Sequence, residues 1–121
     1  MVARCQFSLL PEDIGKLLQT NAKCQKKSGA TQQEIMGTLR GTFSDSPELK
    51  KHLFCLGVKL DFISKDGVFQ KELIRDKMAV IVPDESQLED LLEKCLMETE
   101  NAADSVYQSI RCFAKQNLLP Q

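Results

Sequence analysis

The stretch Ser46-Pro-Glu-Leu-Lys-Lys-His-Leu-Phe-Cys-Leu-Gly-Val-Lys-Leu-Asp-Phe-Ile-Ser64 decides how the rest of the chain is read. Ser46 has the hydroxyl of an N-cap, Pro47 is tolerated at the first helical position because its missing N–H would be unpaired there, and Glu48 complements the positive helix end. At 100° per residue, Leu49, Leu53, Leu56, Leu60 and Ile63 form one apolar stripe, and Phe54, Val58 and Phe62 form a second. A helix apolar on two sides needs neighbours on both. The segment therefore reads as the central helix of an all-α domain, with Cys55 on the flank of the second stripe, placed to tie it to another helix.

Working outward, a first helix is expected from Leu10-Pro11, with Glu12 and Asp13 in its first turn, to about Ser28, where Gly29 ends it. Leu10, Ile14, Leu17, Asn21 and Cys24 share one face of it, with Leu18 beside them. Thr31-Gln-Gln-Glu34 is a capping box that opens a short helix carrying Ile35, Met36 and Leu39. After the central helix, Ser64-Lys-Asp-Gly67 forms a turn, and a fourth helix spans Gln70 to Val82 before Pro83. Asp84-Glu-Ser-Gln87 caps a fifth, with Leu88, Leu91, Leu92 and Cys95 inward. Asn101 caps a sixth, with Ala103, Val106, Ile110 and Phe113 on its apolar face and Cys112 at the flank. Strand-like alternation and internal repeats are lacking.

A chain of 121 residues has the length of one domain, expected here over 9–121 behind a flexible segment 1–8. Its net charge of −1, with acids and bases interspersed, excludes the clustered basic surface that nucleic acid requires. No apolar run approaches the roughly 18 residues of a membrane span, and the first seven residues lack the apolar core of a signal peptide. The five cysteines, at 5, 24, 55, 95 and 112, are too far apart for a Cys-x-x-Cys site, and with a single histidine no metal centre is expected. Buried free thiols and disulfides both remain open on composition.

Chemistry finds little purchase. Aligning Asp61-Phe-Ile-Ser-Lys-Asp-Gly67 on a calcium loop puts Phe62 and Leu73 at ligand positions, so an ordinary Asp-Gly turn is the better reading. His52 reads as a partly exposed helix residue, with a pH-sensing contact as the sharper alternative. Neither a phosphate-cradling loop nor a nucleophile elbow is present, so no catalytic residue and no cofactor are assigned. What remains is a surplus of apolar side chains, which either fill a solid core or line a pocket for a hydrophobic ligand.

The six expected helices and the spacing Cys24-x30-Cys55-x39-Cys95-x16-Cys112 resemble the insect pheromone and general odorant-binding superfamily over about residues 9 to 119. Lys23-Cys-Gln-Lys-Lys-Ser-Gly29 and Lys50-Lys-His-Leu-Phe-Cys55 resemble its minus-C subclass, in which a third disulfide is lost; the two vacated positions correspond to Lys51 and Ala103. The resemblance implies an all-α, six-helix disulfide-linked fold around an apolar cavity, with bonds Cys24–Cys55 and Cys95–Cys112 and Cys5 outside the pattern. It further implies a non-enzymatic, secreted carrier in sensillar lymph or haemolymph that reversibly binds a small hydrophobic ligand. Such a carrier is a monomer or weak dimer, with an olfactory receptor as an indirect partner. The expected wall comprises Met36, Leu39, Phe54, Leu73, Ile74, Met78, Ile81, Leu91, Val106, Tyr107, Ile110 and Phe113. A solid-cored helical interaction protein is the rival.

Overall fold

The computed structural model describes residues 11–116, and their side chains from residue 15 onward. The expected flexible segment 1–8, Cys5 and the inward placement of Leu10 and Ile14 lie outside what is described. Six helices follow one another: α1 (Pro11–Ser28), α2 (Gln32–Leu39), α3 (Pro47–Lys59), α4 (Lys71–Met78), α5 (Glu85–Cys95) and α6 (Ala102–Lys115). Between α3 and α4 a tight turn brings Ile63 and Phe69 into an isolated antiparallel bridge, the one piece of extended pairing among the described residues.

The ends of these helices obey local chemistry. Ser46 caps α3 by accepting from the Leu49 N–H at 3.1 Å, Asp84 caps α5 through the Gln87 N–H, and Asn101 caps α6 through the Asp104 N–H. Gly29, at φ +78°, supplies the left-handed residue after α1. At α2 the capping box is complete, and Glu34 does more than close it. Its carboxylate accepts from the Thr31 N–H at 3.0 Å, from the Ser44 hydroxyl at 2.9 Å and from the Ser46 hydroxyl, which binds the start of α2 to the start of α3. Hydrogen bonds to its charged form, led by that of Ser46, hold its pKa down to about 2.

Helix α3 is the hub, packing against α1 on one side and α6 on the other; α5 then packs on α6 and α4 on α5. Residues of both its apolar stripes pack into a single core, while α1 meets it through the Cys24–Cys55 bond and His52. Leu49 and Leu53 are buried with Ile63, Phe69, Ile74, Leu88, Leu92, Leu96, Val106 and Tyr107 in one cluster, each large aliphatic contributing about 1.5–3 kcal/mol. Close approach depends on Gly57, where a Cβ would stand 3.1 Å from Ile63 Cγ2. Disulfides join Cys24 of α1 to Cys55 of α3 and Cys95 of α5 to Cys112 of α6.

Several details differ from the sequence expectations. The third and fourth helices stop at Lys59 and Met78, short of Ser64 and Val82, because the chain turns through Asp61 at φ 63° after α3 and through a hydrogen-bonded turn, Val82 N–H to Met78 C=O, after α4. Leu17 and Leu18 are exposed, since α1 packs on α3 mainly through its second half. His52, expected near the surface, is wholly buried. Its Nε2 lies 2.8 Å from Asn21 Oδ1 and its Nδ1 3.4 Å from Ser28 Oγ, so a neutral ring that donates to Asn21 and accepts from Ser28 satisfies both nitrogens. Burial pushes its pKa below the ordinary 6.5.

Candidate functional site

Among the described residues, an apolar, partly open cavity is bounded by α3, α4, α6, the 62–69 turn and the residue after α5. Its volume is about 260 Å³. Helix α3 contributes Leu53, Leu56 and Gly57, followed by Leu60; the turn contributes Phe62, Ile63 and Phe69; α4 contributes Ile74, Lys77 and Met78; and Leu96 closes the α5 side. From α6 come Val106, Ser109, Ile110 and Phe113, an i, i+3, i+4, i+7 set that forms one face of that helix. Lys77 is the single exposed residue of the lining and brings its ammonium to the edge, while the wall itself is hydrocarbon.

The polar group of greatest interest is Ser109. Its residue is 3% exposed, and its Oγ is the one buried side-chain oxygen or nitrogen among the described residues without a hydrogen-bond partner. The contrast with Ser105, one turn earlier, is direct. Ser105 is also buried, but its hydroxyl accepts from the Thr99 N–H at 2.7 Å and donates to the Asn101 carbonyl at 3.2 Å. Native proteins rarely leave a buried hydroxyl unpaired.

Of the twelve residues expected to form the wall, Ile74, Met78, Val106, Ile110 and Phe113 line this cavity. The other seven lie elsewhere, for identifiable reasons. Met36 and Leu39 are exposed on α2, which is held at its N-terminal end by the Glu34 network and does not reach the cavity. Ile81 and Leu91 line an outer groove with Val82, Pro83, Gln87, Asp90, Lys94 and Gln116, because α4 ends before Ile81. Leu73 lines outer grooves beside Gln70, about 100° round α4 from Ile74. Phe54 packs against the core outside the lining.

Tyr107 is the most instructive displacement. Expected in the wall, it is buried at 2% exposure outside the lining and donates its hydroxyl to the Ser44 carbonyl at 2.9 Å. Phe43 meets its ring edge-on at 6.0 Å between centroids, and Lys50 Nζ sits 4.9 Å from the ring centre while pairing with Asp45 and Asp104. It closes the side of α6 away from the cavity. The lining residues absent from the expected wall are Leu53, Leu56, Gly57, Leu60, Phe62 and Ile63, read as part of the central helix, Phe69 of the following turn, Lys77, Leu96, and Ser109, which interrupts an apolar stripe at a position where a polar residue is itself a signal.

A sequence profile of the PBP/GOBP family matches residues 7–116. The B2 protein of Tenebrio molitor is 28% identical over 108 residues, covering 89% of this chain and 84% of that protein. Among solved structures, Apis mellifera odorant binding protein 5 is similar with a TM-score of 0.70 at 26% identity, over 93% of this chain and 95% of that one. The fatty acid binding protein OBP56a from the oral disk of the blowfly Phormia regina gives a TM-score of 0.70 at 22% identity, over 92% and 96%. A profile that runs across all six helices, in a fold shared with these structures, means that the chain belongs to the PBP/GOBP family.

Proposed function

We propose that this protein is a secreted, non-enzymatic carrier of the minus-C type, a single helical ligand-binding unit over 9–121 that reversibly encloses a small hydrophobic molecule. The observation that carries this reading is the cavity itself, a space of about 260 Å³ walled by hydrocarbon where a protein of this size ordinarily packs solid. Two disulfides among the described residues, with Lys51 exposed and Ala103 half-buried where the fuller pattern has a third, support the subclass.

Size and wall chemistry set the affinity. At roughly 30 Å³ per non-hydrogen atom the space holds about nine of them. Burying about nine methylenes at ~0.8 kcal/mol each gives ~7 kcal/mol before the costs of association, so dissociation constants are micromolar or weaker. Such a cargo exchanges readily. Displacement of a fluorescent apolar probe from the full chain by n-nonane tests the reading: saturable uptake and competitive release are expected, whereas absence of probe uptake would show a core that does not open to ligands and favour the interaction protein.

A further inference from the structure

We propose that Ser109 is the polar anchor of this cavity, and that it selects cargo carrying one neutral oxygen, an alcohol or a carbonyl compound, on a hydrocarbon body of about eight carbons. The inference rests on the carrier reading above and adds the chemical class. Ser109 lies on the same face of α6 as Val106, Ile110 and Phe113, all of which line the cavity. Its hydroxyl is shut away from solvent and does not bond back to the carbonyl of the preceding turn, the usual recourse of a helical serine. In the empty protein that donor and acceptor capacity is unused, and a ligand oxygen lodged among Val106, Ile110 and Phe113 supplies what the fold does not. The cavity wall is hydrocarbon throughout, so presenting the hydroxyl to cargo requires Ser109 to change to another staggered χ1.

Neutrality follows from the surroundings. A carboxylate beside Ser109 would be buried among Leu53, Leu96 and Ile110 with no cation next to it, since the only charged lining residue, Lys77, stands at the exposed edge. A hydroxyl or carbonyl oxygen needs a single hydrogen bond, which one serine provides. Cargo size follows from the volume, about nine non-hydrogen atoms at roughly 30 Å³ each.

The test is a double-mutant cycle across protein and ligand on the full chain, with naphthalene, a fluorescent probe close to the cavity in size, displaced by 1-octanol and n-nonane as competitors matched in non-hydrogen atoms. Ser109→Ala is expected to weaken 1-octanol about tenfold, equivalent to 1.4 kcal/mol, while n-nonane changes less than twofold. Equal effects on the two, or no effect on either, overturn the anchor and leave the carrier standing. Wild-type protein that takes up neither probe nor n-nonane overturns both. Octanoate weakened as much as 1-octanol by the same substitution overturns the restriction to neutral cargo. Retained n-nonane binding reports that the variant is folded; should Ser109→Ala lose it, Ser109→Cys, which keeps the side-chain volume with a weak donor, is read by the same criteria.

Discussion

Substituting Phe113→Trp places three more non-hydrogen atoms on the cavity wall. Packed at interior density, the larger ring takes the room of about one to two ligand atoms out of the 260 Å³ that Phe113 helps to enclose. A nine-atom cargo then forfeits roughly one to two methylenes of burial at ~0.8 kcal/mol apiece, about fourfold to fifteenfold in affinity. Shorter competitors of six atoms should be nearly unaffected, and this size dependence distinguishes filled space from general damage. Stability should move by less than about 1 kcal/mol, because the added ring enters empty volume; in a solid core the same change would overpack and cost ~1–3 kcal/mol. Probe displacement with a homologous series of alkanols, paired with urea unfolding midpoints, reads both quantities. Unchanged binding together with a large loss of midpoint would refute the reasoning and assign Phe113 to packed core.

The Cys24–Cys55 bond closes a longer loop than Cys95–Cys112, with separations of 31 and 17 residues, so its removal by double serine substitution should cost ~4 kcal/mol against ~3 kcal/mol, measured by denaturant titration. Acid should destabilise the fold in two windows. His52, neutral when buried, favours folding above its unfolded value of 6.5 and loses that contribution as pH falls below it, and Glu34 does the same from 4.5 down to about 2. Thermal melts of Glu34→Gln should decline less than those of the parent across the lower window; a decline of equal size in the variant would count against the Glu34 network. Tyr107→Phe removes the bond to the Ser44 carbonyl and should lower stability by about 1 kcal/mol without changing alkanol affinity, a split that calorimetry and displacement together resolve.

Much of this architecture is legible in the chain because the helices are punctuated by local chemistry. Ser46, Thr31, Asp84 and Asn101 cap helices where their side chains predict, since a cap depends on residues within one turn of it. The cavity is less legible because it is a property of how helices are placed. Met36 and Leu39 have the composition of a wall but sit on a helix that the Glu34 network holds elsewhere, whereas Phe62, periodic with the central helix, lies past its end and reaches the wall with Phe69 through a turn. His52 shows the same limit. Its charged neighbours Lys50 and Lys51 suggest a surface site, yet His52 lies one helical step from Leu49 and Leu53. Asn21 likewise occupies the inward face of α1, and the two meet beside the Cys24–Cys55 bond. Polar residues on the inward faces of two disulfide-linked helices were each other's partner.

The placement of the two disulfides also determines which side of the cavity yields. Helix α3 is fastened through Cys55 and α6 through Cys112, but α4, which brings Ile74, Lys77 and Met78, is crosslinked to nothing and spans only eight residues. Two sides of the chamber are riveted, and the third is held by packing and by the ion pair of Arg75 on α4 with Glu89 on α5. For the carrier proposed above, α4 is then the side expected to lift for exchange of cargo, apart from the two crosslinked helices that fix the rest of the wall.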